Sequence, residues 1–260
     1  MEAGPVFATT LGNLRTIGRL GAIREEALLH IDQEGLRVVV VDPAHVAMAE
    51  VTIPNSKDLH VSQYGDLAMG LEFLCWNLEH AEKYGLPPET VATVGLGEGV
   101  LYLAHEWRTE EALIDPETVS DPKSPELDLA YRGDLRSDRL VILLDHASYF
   151  GNTTCFRVDR GSDVLKVAVV PRDAGSSKSD QPPSKNRLTA DLRTAPGPGR
   201  WETDDESVES HYSMDYLVST LKMHVDNQHI SLGLGNDYPL VMESGKNPRV
   251  RTLLAPRIEE

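Results

Sequence analysis

Apolar positions recur along this chain at two periods, and each change of period marks a change of element. Leu11, Leu14 and Ile17 share one side of a segment whose Arg15 and Arg19, four residues apart, share another, which predicts a helix over 11–20. Leu67, Leu71, Leu74 and Leu78 repeat at intervals of four, three and four and predict a second helix over 66–83. A third, over 138–150, turns Leu140, Leu143, Leu144 and Ala147 to a core. A fourth, over 213–224, has Met214, Leu217, Val218 and Leu221 on one side and Asp215, Ser219 and Lys222 on another. Between them lie short alternating runs bounded by turn residues, the pattern of strands. Sheet segments carrying two helices per half predict an α+β fold with antiparallel sheets.

The elements come in two sets. ALLHIDQEGLRVVVVDP (27–43) reads as two strands around Gln-Glu-Gly, and TCFRVDRGSDVLKVAVVP (154–171) reads the same way around Arg-Gly-Ser-Asp. Their closing prolines, Pro43 and Pro171, are 128 residues apart. Val94-Gly95-Leu96-Gly97 has its counterpart 138 residues on, in Leu232-Gly233-Leu234-Gly235, and Pro116 has one 140 residues on, in Pro256. Three landmarks in the same order predict a duplicated unit. The drift between them fits insertions in the second copy, where 173–186 and 194–210 are loop-like by composition. The expected domains are 1–113 and 128–260, joined by an extended connector over 114–127, IDPETVSDPKSPEL, with three prolines.

Composition changes this picture chiefly through charge. Twenty-five Lys and Arg against 41 Asp and Glu leave a formal net charge of −16, which repels DNA phosphates and anionic membranes. Only 8 of the cations are Lys and 17 are Arg, and few lysines with many carboxylates is how proteins stay hydrated in strong salt; an ordinary acidic protein shares the trait. No apolar run reaches the length of a membrane-spanning helix, and MEAGPVFATT lacks the parts of a signal peptide, so a soluble cytoplasmic protein is expected. Cys75 and Cys155 are too few for a disulfide framework or an all-cysteine zinc site.

Catalytic chemistry finds little purchase. Gly95-Leu96-Gly97-Glu98-Gly99 precedes an alternating strand rather than a helix, so it reads as a hairpin turn and not a phosphate loop. His105-Glu106 has no second His four residues on and reads as strand. The nine His show no metal-ligand spacing, and no Ser stands in a nucleophile elbow. Cys75, between Leu74 and Trp76 on an apolar helix, reads as packed. No catalytic residue and no metal site is expected. Two segments do stand out: Asp42–Met48, whose apolar residues follow a completed strand, and Leu253–Ile258, which keeps apolar groups at a terminus, where polar ones are usual.

At these segments the chain resembles the PCNA-type DNA sliding clamps of archaea and eukaryotes. The resemblance is carried by EGLRVVVVDPAHVAM (34–48), LIDPETVSDPKSPELDL (113–129), YSMDYLVSTLK (212–222), YPLVME (238–243) and LLAPRIEE (253–260), in family order over nearly the whole chain. The connector wording and low Lys content are most similar to clamps of halophilic archaea or their viruses. The resemblance implies two similar clamp domains per subunit, three subunits closing a pseudo-six-fold ring, helices lining the hole, and processivity conferred on a polymerase by encircling duplex DNA. Held topologically, DNA needs no net positive ring. The implied partners are duplex DNA, further copies of the chain as a homotrimer, and polymerase, clamp loader, nuclease and ligase, which insert short aromatic-containing peptides. No membrane partner and no cofactor is implied, apart from bound salt cations.

The family's sites carry over by position. Arg15, Arg19, Lys83, Arg139 and Lys222 are the implied DNA-facing cations. His45, Val46 and Met48 form one side of the implied peptide pocket and Pro239, Ala255, Pro256 and Ile258 the other, with Ile114 to Leu127 passing over it. Helix two departs from the family, since Glu72, Glu79 and Glu82 outnumber Lys83. Ring closure is expected between an edge strand in 100–107 or 109–113 and one in 187–194, where Leu188, Ala190 and Leu192 alternate with polar residues. A divergent paralogue working in a heterotrimer or as a regulator, and an acidic α+β enzyme, are the alternative readings.

Overall fold

A computed structural model describes residues 6–97, 100–171 and 188–257. The chain divides into two units. Unit one holds Met1–Pro43, Met48–Pro125 and Gly245–Val250, and unit two holds Ala44–Ala47, Glu126–Ser244 and Arg251–Glu260.

The first half of the chain begins with β1 (Val6–Thr10), α1 (Leu11–Gly18) and a 3-10 turn (Arg19–Ala22). Five strands follow, β2 (Glu26–Ile31), β3 (Gly35–Val41), β4 (Ala47–Pro54), β5 (Leu59–Gln63) and β6 (Gly65–Gly70), and then α2 (Leu71–Lys83). β7 (Val91–Gly97), β8 (Val100–Ala104) and β9 (Arg108–Ala112) complete it. The second half repeats this order, opening with β10 (Tyr131–Arg136), α3 (Ser137–Ala147), β11 (Gly151–Asp159) and β12 (Val164–Pro171). It continues through β13 (Thr189–Arg193), β14 (Ala195–Trp201), β15 (Ser207–Ser213) and α4 (Met214–Leu221) to a 3-10 turn (Lys222–His224). β16 (His229–Leu234), β17 (Leu240–Ser244) and β18 (Arg249–Leu254) close the chain.

The pairing repeats as well as the order. In the first half the strands run β5-β1-β7-β8-β9 and β6-β2-β3-β4; in the second they run β14-β10-β16-β17-β18 and β15-β11-β12-β13. Each strand of one half thus occupies the place of its counterpart nine strands earlier, and the duplication read from three landmarks extends to every described strand. The registered pairs are all antiparallel, as the alternating patterns require.

Local chemistry accounts for the element ends. The Thr10 hydroxyl accepts the Asn13 N–H at 3.2 Å and caps α1. Phe7, Leu14, Ile17 and Leu74 are fully buried in unit one, and Phe156, Leu140, Leu144 and Leu217 in unit two; each such side chain contributes about 1.5–3 kcal/mol of burial. α1 packs on α2 closely enough that a Cβ on Gly18 would lie 3.3 Å from the Cys75 sulfur. The Cys75 thiol donates to the Gly18 carbonyl at 3.2 Å, and burial, with Glu79 nearby, pushes its pKa up, so it is a packed thiol rather than a nucleophile. The paired Gly-x-Gly motifs are packing devices: a Cβ on Gly95 would meet Val6 at 2.9 Å, and one on Gly233 would meet Leu129 at 2.3 Å. The first motif ends β7, whose Gly97 pairs with Val100 across an antiparallel hairpin; Glu98 and Gly99 lie outside the described residues.

Four expectations need correction. The stretch 194–210, loop-like by composition, is instead β14 and the start of β15, with only 202–206 as the turn between them. The second helix starts at Leu71, not near Asp66, because 65–70 form β6, paired residue by residue with β2. The third ends at Ala147, three residues early. His105-Glu106 lies in a bend and not a strand, where the His105 N–H donates to the Trp107 carbonyl at 2.9 Å and the two rings pack edge to face.

Candidate DNA-facing helices and partner site

Unit one places Arg15 on α1, Arg19 in the turn that follows, and Lys83, exposed, as the last residue of α2. The acidic face of α2 reaches back across the helix pair, and Glu82 stands 3.5 Å from the Arg15 guanidinium. Both groups are partly exposed, so the pair is worth little in stability, but it removes net positive charge from that face. In unit two, Arg139 and Lys222 are exposed on α3 and just past α4. Arg139 also opens onto a cleft of about 430 Å³, lined with Leu135, Arg136, Asp191 and Leu192 among others, so it faces β13 as well as solvent. Its neighbour Arg136 is occupied by Asp138 at 2.6 Å, which holds the Asp138 carboxyl below its ordinary pKa.

The residues implied for the peptide pocket are divided between the units. His45, exposed with a left-handed φ of 57°, Val46, Leu127, Pro239, Ala255 and Pro256 belong to unit two, and Met48 and Ile114 to unit one. Ile258 lies outside the described residues. The Ala255 N–H donates to the Val46 carbonyl at 2.8 Å, which joins the terminal segment to the segment after β3 that stood out with it in the sequence. The next contacts along that segment are the Arg257 N–H to the His211 carbonyl at 2.7 Å and its guanidinium to the Thr153 hydroxyl at 2.5 Å. Met48, close to His45 and Val46 in the sequence, is mostly buried, at 8% exposed.

Spacing did not reveal the anchor of the connector. Within unit one, His30 Nδ1 lies 2.9 Å from Asp66 and Nε2 2.8 Å from Asp121, a connector residue 91 positions away. Partial burial pulls this imidazole's pKa down, but hydrogen bonds and charge from Asp121 and Asp66 outweigh it and hold the pKa above its ordinary value. Both ring nitrogens can donate only when protonated. The tether is therefore complete below the unfolded-state pKa and is lost as pH rises through the higher folded-state one. In a proton NMR titration, His30 should titrate above a solvent-exposed His, and Asp121→Asn should lower its midpoint. A midpoint indifferent to that substitution would contradict the tether.

β9 and β13 each end a strand order, whereas β8 is interior, so the alternative edge over 100–107 is excluded. On β13, Ala190 and Leu192 are half-buried and Thr189, Asp191 and Arg193 exposed; Leu188 precedes the strand.

One constellation was missed altogether. The ligand atoms of Cys155, Glu209 and His211 lie within 4.8 Å of one another on β11 and β15. Numbers 155, 209 and 211 carry no motif spacing, and only strand register brings them together.

No family model matches the chain. A DNA polymerase sliding clamp of Thermoplasma acidophilum is 25% identical over 249 residues, covering 93% of each chain. The solved structure of the C-terminal region of FEN-1 bound to A. fulgidus PCNA superposes with a TM-score of 0.77 at 21% identity, covering 98% of this chain and 99% of that one. The chain has the PCNA-type sliding-clamp fold. The likeness runs nearly end to end in both comparisons, so both halves of the clamp fold are present. A sliding clamp of Haloarcula marismortui is 23% identical over 257 residues, covering 94% of each chain, so the halophile is no closer than the thermoacidophile. No described helix of this clamp fold is long and apolar enough to cross a membrane.

Proposed function

We propose that this chain is a DNA polymerase sliding clamp, a non-catalytic ring subunit that encircles duplex DNA and tethers a polymerase to it. The observation that carries the reading is the fold itself, a complete clamp unit built twice in one chain with its helices in pairs. Three such chains supply six units. Closure runs through β9 of one copy and β13 of the next, two open edges whose exposed residues carry both signs of charge. Leu188, Ala190 and Leu192 supply the apolar side of that seam.

Arg15, Arg19, Lys83, Arg139 and Lys222 face the duplex. With Glu82 set against Arg15 and a chain charge of −16, direct phosphate contact is weak, and salt cations bridge part of the gap. Encirclement bears the load that attraction bears in a basic protein. His45, Val46, Met48, Ile114, Leu127, Pro239, Ala255, Pro256 and Ile258 receive short peptides with paired aromatics from polymerase, loader, nuclease and ligase. The hydrogen bond from Ala255 to Val46 gives such a peptide a fixed strand-like rim to pair with. The chain acts in the cytoplasm of an archaeal cell, or as a viral protein in that host, and its low Lys content suits a salty one.

The test is primer extension on circular primed DNA with an archaeal polymerase and clamp loader, run from low to molar salt. Product length should rise sharply when the chain is added, and the gain should persist where an ordinary basic clamp loses its hold. No gain at any salt would overturn the reading. The acidic α2 also favours a second one, a paralogue that closes only with other clamp subunits; light scattering of the purified chain as a monomer that gains mass only with such a subunit would select it.

A further inference from the structure

We propose that Cys155, Glu209 and His211 form a site for a zinc-class divalent cation on the outward side of the β11/β15 ladder. Cys155 and His211 are directly opposed in the register, and Glu209 pairs with Arg157, which makes it the diagonal neighbour of Cys155. Period-two alternation sets the side. Phe156, Val158, Val208, Ser210 and Tyr212 are buried on one face, and the three ligand residues are half-buried on the other, where an ion can reach them.

The donor set selects the metal. A thiolate, an imidazole and a carboxylate suit zinc and cobalt, and the first two reject the hard alkali and alkaline-earth ions abundant in salt. Zinc bonds of about 2.0–2.3 Å put tetrahedral ligand atoms about 3.3–3.8 Å apart. The atoms here lie within 4.8 Å, so side-chain rotation of about an ångström completes the geometry with no change in the strands. The strands are themselves held, since seven consecutive residue pairs join β11 to β15 and the Arg257 N–H fixes the carbonyl of His211. Arg157 holds one oxygen of Glu209 at 3.1 Å while its Nε is engaged by Asp159 at 2.9 Å. The other Glu209 oxygen is left to point at the ion, with Arg157 orienting the carboxylate from outside. The fourth position falls to water. The cysteine gives up its proton to solvent as the metal binds, so affinity rises with pH.

The experiment uses the full chain, reduced and stripped with a chelator. Cobalt(II) should give a near-ultraviolet sulfur-to-metal charge-transfer band that saturates at one ion per chain, and zinc should displace it. Cys155→Ser should abolish the band, and His211→Ala should weaken zinc binding by at least the ~10-fold that even an outer-shell partner contributes. Cys75→Ser, which alters the other cysteine, should leave both intact. Circular dichroism establishes that each variant keeps its fold. Absence of a thiolate band in the parent chain, its loss in Cys75→Ser, or zinc affinity unchanged in both Cys155→Ser and His211→Ala would each overturn the site.

Discussion

Asp191→Pro should turn the assembled protein into single chains and remove the gain in primer extension, while Asp191→Ala should leave both intact. The contrast comes from the ladder. The Leu188 carbonyl accepts from Val169 and the Thr194 N–H donates to Asp163, so even-numbered residues of β13 direct their backbone groups toward β12. Odd-numbered ones, Asp191 among them, direct theirs to the open edge. Proline at 191 removes an outward N–H and puts its ring in the path of an added strand, while every bond to β12 survives. Alanine removes the same carboxylate but keeps the N–H. A ring needs every seam, so one blocked edge per subunit blocks all of them, and the expected loss of processivity is nearly complete. Light scattering and extension assays on both variants decide it. A trimer that persists with proline at 191 would place the seam elsewhere, and equal loss in the alanine variant would assign the effect to charge rather than to strand addition.

The β13 strand at the end of its sheet was legible in sequence because such a strand declares itself locally. RLTADLRT alternates in period two, and its partner in the same sheet, 164–171, closes on a proline. Hairpins β2–β3 and β11–β12 were legible for the same reason, since pattern and turn are contiguous. The start of α2 was not. Leu67 falls in phase with Leu71 and Leu74, so the periodicity runs through 66–70 unbroken, yet Leu67 is buried as the partner of Leu29 in the β2 ladder. A pairing about 40 residues away overrode the local period, and Gly65 and Gly70 were the signs of it in the sequence. The site divides likewise. Val46 and Ala255 stood out as apolar residues with no local use, and a hydrogen bond joins them. His30 with Asp121, and Cys155 with His211, meet only through sheet register, which no single-strand pattern contains.

Lowering the pH from 7 to 4 should cost unit two about 3 kcal/mol through one residue, His224. The imidazole is fully buried, with Nδ1 2.7 Å from the Ser244 hydroxyl and Nε2 2.9 Å from that of Thr252. Burial pushes its pKa down to about 3, far below that of an unfolded chain. Between these two values the unfolded state binds a proton that the native state refuses, so stability falls as pH falls, at about 1.4 kcal/mol per pH unit. Two other effects run the opposite way over this range. Protonating carboxylates relieves a net charge of −16, and His30, whose pKa is raised, favours the folded state once protonated. Asp138 and Asp159, whose carboxyls are held below their ordinary pKa by basic partners, run the same way as His224 at the acid end. A denaturation curve of the parent chain alone therefore mixes all of these. The difference from His224→Asn isolates one of them, because asparagine keeps a polar partner for the two hydroxyls but does not titrate. The variant should be weaker than the parent at pH 7, by about 2–4 kcal/mol for the lost volume and altered hydrogen bonds, and the gap should narrow or reverse by pH 4. With two units in the chain, global unfolding is not one transition, so the measurement is native-state hydrogen exchange at α4, β17 and β18. Parallel pH profiles for parent and variant would mean that His224 takes up its proton without unfolding, and the buried neutral imidazole would be wrong.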